Sequence, residues 1–196
     1  DHILDAARDL ALFVDAVEFK IQKPRHTVAS RPAQSRQARF DFTHSDSLFN
    51  PKYTFENFVV GSCNEFAHAA AQAVATNPAR AYNPLYLYGG VGMGKTHLMH
   101  AIGERLRHNC PDLRIVYVSS EQFMNEMVSS MRYNSMNAFH ERFRAADALL
   151  VDDIQSLQGK DGIQEEIFHT FNALHNMQKQ IVISCDRPPK QVSGLV

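Results

Sequence analysis

Apolar and polar residues along this chain follow two periods, and the switches between them mark its elements. Near the start, Ile3, Leu4, Ala7, Leu10 and Ala11 recur at the spacing of one helical face, and VEFKI, ending at Ile21, alternates as a strand does. From Gln22 to Arg39 the pattern stops, and five basic residues, no acidic residue and two prolines read as a flexible linker. Order resumes near Leu48. An alanine-rich stretch running to Thr76 predicts a helix, with Ser62 as its N-cap, Glu65 closing a capping box and Asn77-Pro78 ending it.

Four short strings, PLYLY, IVYVS, ALLVDD and QIVIS, are apolar almost throughout. Helical spacing separates them over Lys95 to His108, Gln122 to Met131, Met136 to Ala145 and Ile163 to Met177. Strands apolar on both faces need cover on both, so the alternation predicts an α/β fold, three layers in αβα order around a parallel sheet. Three regions follow: 1–21, too short for a core of its own, the basic linker of 22–47, and a main domain over 48–196.

Composition narrows the function classes. At 196 residues with 44% hydrophobic content the chain can bury a sizeable core, and its net charge of −1 excludes a broad nucleic-acid footprint, leaving only local contacts. No apolar run nears the ~20 residues of a membrane span, and the start lacks a signal-peptide pattern, so a cytoplasmic location is expected. Cys63, Cys110 and Cys185 form no CxxC pair and are expected to be reduced and mostly buried. The histidines form no HExxH; His97 and His100 instead follow a glycine-rich stretch. Beginning at Asp1 and stopping at Val196, the chain is expected to be part of a longer protein.

The sharpest signal is GGVGMGKT, from Gly89 to Thr96, which fits G-x-x-x-x-G-K-[ST] between a predicted strand and a predicted helix. Glycines let backbone N–H groups close around phosphate oxygens, and the helix start adds unpaired amides and a positive dipole end. The expected ligand is ATP or ADP with Mg²⁺. It would be held by Gly89, Gly90, Val91, Gly92, Met93 and Gly94, with Lys95 on the β- and γ-phosphates, Thr96 on the metal and His97 just beyond. ALLVDD puts Asp152 and Asp153 at the carboxyl end of a buried strand, where ligands of open α/β sheets bind. Asp152 is the expected Mg²⁺ partner and Asp153 the general base for an attacking water, although paired acids can also cap a turn. Asp186 ends the fourth strand beside Ser184, on the same rim, as a γ-phosphate sensor or a turn aspartate before Pro188-Pro189.

Several strings together resemble one family, the DnaA replication initiators among the AAA+ ATPases. They are NPKYTFENFVVGSCNEFAHAAA, YNPLYLYGGVGMGKTHLMHAIG, LLVDDIQSLQGK with QEEIFHTFNALH, and QIVISCDRPPK, spanning Leu48 to Lys190. The resemblance implies strand order 1-4-3-2, with the PLYLY strand at an edge because the family's fifth strand and helical lid lie outside these residues. It implies that Phe58, Val59, Val60 and Asn64 line adenine, that Asp186 senses the nucleotide, and that the two helices between Glu121 and Ala145 steer ATP-bound subunits into a filament. Origin DNA, the replicative helicase (through the N-terminal domain) and acidic phospholipids are the implied partners. ATP is implied as an assembly signal that slow hydrolysis ends, with the arginine finger and the helix-turn-helix domain outside this stretch.

For single-stranded DNA the resemblance points to Val128 and Lys160. Where the family commonly follows that lysine with an arginine and a small hydroxyl residue, this chain has Gly162 and Ile163, so weak binding is expected; Lys160 can also be read as a solvated turn residue. Competing readings are a helicase-loader or transposition-helper ATPase, a P-loop enzyme acting on a small molecule, and an interaction module that binds nucleotide without turnover.

Overall fold

The computed structural model describes residues 49–192. The helix and strand expected before residue 22 and the linker of 22–47 lie outside them. Helix α1 spans Glu65–Thr76, β1 Leu85–Tyr88, α2 Lys95–Asn109 and β2 Ile115–Ser119. Then come α3 Ser120–Arg132, α4 Met136–Arg144, β3 Ala148–Asp152, a 3₁₀ turn Ile154–Leu157, α5 Asp161–Asn176 and β4 Gln180–Cys185. The strands are all parallel in the order β1-β4-β3-β2, as expected, with β1 at an edge among the described residues.

The period of two explains why the strands read as apolar runs. Leu150 of β3 and Val182 of β4 face α1 and α2, where Ala70, Ala71, Val74 and Ala75 meet Leu98, Met99, Ile102 and Leu106. Their neighbours Leu149, Val151, Ile181 and Ile183 face the other way, onto Phe123, Phe139, Phe143, Ile167 and Leu174 from α3, α4 and α5. Each fully buried Leu, Ile or Phe contributes roughly 1.5–3 kcal/mol, so this double-sided burial, rather than helix propensity, holds the layers together. Small side chains on α1 let that helix lie close to α2.

Two local expectations are corrected. Ser62 is not the N-cap of α1 and no capping box forms: Asn64 stands at the N-cap without a forward hydrogen bond. Its amide turns back instead, with Oδ1 accepting from Gly61 N at 2.8 Å and Nδ2 donating to Val59 O at 3.0 Å. A tight turn of Gly61 to Asn64 therefore replaces the cap, and Glu65 is left facing the positive helix end. Cysteine burial is also uneven, since Cys63 is exposed, Cys110 half-buried and Cys185 buried, all as free thiols.

Because every strand runs the same way, one rim of the sheet collects every strand end: Gly89 after β1, Ser119 of β2, Asp152 of β3, and Ser184 with Cys185 of β4. No helix among the described residues is long and apolar enough to cross a membrane.

Candidate functional site

The loop after β1 departs from ordinary backbone at its glycines. Gly92 and Gly94 have φ of +80° and +88°, a region that L-residues rarely occupy. At Gly94 space forbids a side chain as well, since a Cβ would meet Phe58 Cε2 at 2.6 Å. Gly89 N donates to Cys185 O at 3.3 Å, fastening the loop base to β4. Among the described residues, none accepts from the N–H groups of Gly90 to Gly94. Val91 at the tip is 96% exposed, and Met93 is exposed beside it. Lys95 Nζ donates to Gly89 O at 2.8 Å and Gly90 O at 3.0 Å, so its ammonium lies over the loop. Thr96 follows in the first turn of α2, half-buried.

Opposite the loop, the sheet face decides where Asp152 points. Leu150 faces α1 and α2, so two residues on Asp152 faces the same side, toward the helix that carries Thr96. Asp152 is only 4% exposed. Its Oδ2 accepts from Tyr117 Oη at 3.0 Å, and its Oδ1 accepts from Ser184 Oγ. Burial and the adjacent Asp152 carboxylate push the Tyr117 phenol well above its ordinary range, so it remains a donor.

Asp153 lies just past the strand, exposed, in the left-handed region at φ +56° and ψ +51°. A non-glycine residue held there is strained, and hydrogen bonds to its amide, carbonyl and side chain hold it, Ser156 N to its carbonyl at 3.1 Å among them. Its N–H donates to Ser184 Oγ at 2.9 Å, its carbonyl accepts from Ser120 Oγ at 2.6 Å, and its Oδ1 accepts from Gln155 Nε2 at 3.1 Å. Gln155 Oε1 in turn accepts from Asp186 N at 3.3 Å, joining the ends of β3 and β4. The Asp186 carboxylate is gripped by Arg187, Nε to Oδ1 and Nη2 to Oδ2, each 2.8 Å. That guanidinium holds its carboxyl below the usual carboxylate range.

The third wall is the segment before α1. Phe58 packs on Gly94, lies parallel to His68 at 5.5 Å between centroids, and meets His97 edge-on at 5.2 Å. Val59 and Val60 are exposed beside it, and Asn64 fixes the turn that carries them. His97 Nε2 lies 2.7 Å from Thr54 O, an acceptor, so this nitrogen carries the proton; Tyr53 stacks on the same ring at 4.9 Å. The histidine thus ties the lead-in segment to α2.

Loop, carboxylates and aromatic wall therefore lie along one rim of the sheet. Val128, exposed on α3, and Lys160, at the start of α5, make no hydrogen bond or ring contact with that group among the described residues. Sequence reasoning passed over Tyr117, Gln155 and Arg187 altogether, and Ser184 except as a neighbour of Asp186. A tyrosine amid β-branched residues in IVYVS was the available signal for the first.

A parallel sheet in 1-4-3-2 order, with a glycine loop running into a helix and an acidic pair two strands away, defines a P-loop core of the AAA+ type. The family is then settled by sequence: the chain belongs to the bacterial DnaA ATPase domain family, whose model matches residues 49–196. Among solved structures it is similar to domain III of the Thermotoga maritima replication initiation protein DnaA, with 54% identity, TM-score 0.72, and coverage of 74% of this chain and 61% of that one. A replication initiator DnaA bound to AMPPCP and single-stranded DNA is 39% identical, with TM-score 0.72 and coverage of 76% of this chain and 46% of that one. The DnaC helicase loader shares the fold alone, at 17% identity, TM-score 0.62, and coverage of 74% and 84%. The chain thus spans 61% and 46% of the two DnaA relatives' lengths.

Proposed function

We propose that this chain is the ATP-binding core of a bacterial chromosomal replication initiator, in which bound ATP drives subunit assembly at an origin and slow hydrolysis ends it. The observation that carries the reading is the loop of Gly89 to Thr96, its amides open and its lysine overhead, on the same rim as the buried carboxylate of Asp152.

The N–H groups of Gly90 to Gly94 and the start of α2 would cradle the phosphates, and Lys95 would exchange two carbonyl acceptors for phosphate oxygens. Phe58, Val59 and Val60, on the turn set by Asn64, offer an apolar surface for adenine beside the loop. The donor set fits Mg²⁺: a Thr96 hydroxyl and an Asp152 carboxylate, each of whose oxygens keeps a lone pair beyond its one protein donor. Bound there, Mg²⁺ would offset phosphate charge. Asp153, exposed and held at a fixed angle, would accept a proton from water, and Asp186, joined to Asp153 through Gln155, would report on the γ-phosphate.

The relative bound to AMPPCP and single-stranded DNA supports nucleotide and strand binding by this core. In this chain Val128 and Lys160 would meet the strand weakly, because Gly162 and Ile163 supply no second cation. Self-association would use α3 and α4. Helicase and acidic phospholipid partners rest on the family resemblance, and a cytoplasmic setting is proposed with them.

Titration with a fluorescent ADP or ATP analogue tests the core of this reading. Binding should require Mg²⁺ for full affinity, and Lys95→Ala should weaken it at least about a hundredfold, the loss of charge-assisted bonds worth about 3 kcal/mol. Equal affinity in both proteins would sink the assignment.

A further inference from the structure

Asp152 is oriented by two hydroxyls that come from the strands on either side of it. Tyr117 stands on β2 opposite Leu150, one pleat before Asp152 and on the same face, so its phenol reaches along that face to Oδ2 at 3.0 Å. Ser184 stands on β4 one position beyond the Val151–Ile183 pair, beside Asp152, and its hydroxyl reaches Oδ1. The direction of the serine bond is fixed. A carboxylate oxygen accepts, so the Ser184 hydrogen goes to Asp152 Oδ1, while Ser184 Oγ itself accepts from Asp153 N at 2.9 Å.

We propose that Tyr117 and Ser184 are positioning residues for Asp152, clamping the carboxylate plane so that one lone pair on each oxygen faces the cation bound with the nucleotide. The torsion that rotates a carboxylate about its Cβ–Cγ bond is broad, so packing alone leaves the plane free to turn. One donor per oxygen, from opposite sides, removes that freedom. The phenol is itself wedged: His100 lies 4.6 Å from its ring and Phe49 6.0 Å, and His100 Nδ1 accepts from Asn50 N at 3.2 Å. Phe49 in turn lies directly against α2 at Gly103, where a Cβ would meet its Cε1 at 2.2 Å. Ser184 additionally links the two acids, holding the Asp152 side chain and the Asp153 backbone through one oxygen.

Groups that orient a metal-binding carboxylate typically change metal affinity about 10- to 100-fold when removed. A hydroxyl that only satisfied a buried carboxylate would instead affect folding, with no preference for the metal. Nucleotide affinity measured against Mg²⁺ concentration separates the two.

The inference rests on the proposed nucleotide site, and the test is arranged to tell the two apart. Methylanthraniloyl-ADP is titrated into the 196-residue chain in EDTA and across a Mg²⁺ series, for wild type, Tyr117→Phe and Ser184→Ala. Each variant should raise the Mg²⁺ midpoint about tenfold or more, with affinity in EDTA within about twofold of wild type. Midpoints unchanged in both variants would overturn the proposal. So would affinities that fall equally with and without Mg²⁺, since the hydroxyls would then only maintain the fold. A wild type that ignores nucleotide, or binds it without regard to Mg²⁺, would instead remove the underlying site.

Discussion

The two rims of this sheet use similar polar residues to opposite ends. At the amino-terminal rim Gln180, fully buried, accepts from Ala79 N at 2.7 Å and donates to Tyr82 O at 2.9 Å and Ile181 O at 2.8 Å. Asn83 donates to Lys179 O and accepts from Ile181 N, and Asp147 accepts from both Arg114 N and Lys179 Nζ. Polar capacity there is consumed inside the fold. At the carboxyl-terminal rim, loop amides find no acceptor among the described residues, and Asp153 is exposed and strained. A rim closed by hydrogen bonds stabilises the fold, and a rim that keeps unused donors and aimed carboxylates can bind. Substitutions at the two should therefore separate stability from nucleotide chemistry.

The largest expected effect is at the closed rim. Gln180→Ala leaves the Ala79 N–H and the Tyr82 and Ile181 carbonyls short of a partner and opens a void, a cost of about 3 kcal/mol. Thermal unfolding should start roughly 6–12 °C lower for a domain of this size, with Mg²⁺-nucleotide affinity unchanged where the protein is still folded. If the affinity falls while the melting temperature holds, the division between rims is wrong.

At the open rim the informative change is Asp153→Asn. Asparagine tolerates the left-handed backbone about as well as aspartate, so the turn should stand while the carboxylate that could take a proton is gone. Nucleotide affinity should stay within about twofold and the melting temperature should not move. Residual ATP turnover should drop about a hundredfold, the scale of a positioned general base. Turnover equal to wild type would reassign Asp153 to a turn-holding part alone.

Legibility in the sequence also differs between the rims. The open rim was readable because its chemistry is local: GGVGMGKT is contiguous, and VDD follows a strand whose burial the apolar run announces. Strand order came from resemblance, and the registers agree with it. The closed rim was unreadable because its partners are far apart in sequence: Gln180 meets Ala79 across 101 positions, and a glutamine opening an apolar run looks like a strand end meeting solvent. The same distance hid the Tyr117–Asp152 bond, 35 positions long. Ser62 misled for a different reason: it satisfies a helix-start pattern, but Gly61 and Asn64 make a competing turn that no period reveals.

The smallest expected effect sharpens the comparison through pH. Lys179 beside Asp147, with help from the Arg114 amide, holds that carboxyl below its ordinary 3.8. A carboxylate whose folded value is depressed adds stability above its unfolded value, and the contribution disappears as pH falls through the folded value. The pair is partly open, with Asp147 25% and Lys179 35% exposed, so solvent screening limits it to under about 1 kcal/mol. Asp147→Asn should therefore cost up to that amount in urea unfolding at pH 7, and the gap from wild type should narrow as pH falls below 3.8 and close once it is below the folded value. High salt should narrow it at pH 7 as well, because the attraction is between partly exposed charges. Nucleotide binding should be indifferent to the substitution at every pH, since Asp147 precedes the strand that Asp152 ends. A gap that persists in acid would mean that the Arg114 amide bond, which an asparagine oxygen can also accept, is not what remains in the variant, and that the closed rim depends on shape rather than charge.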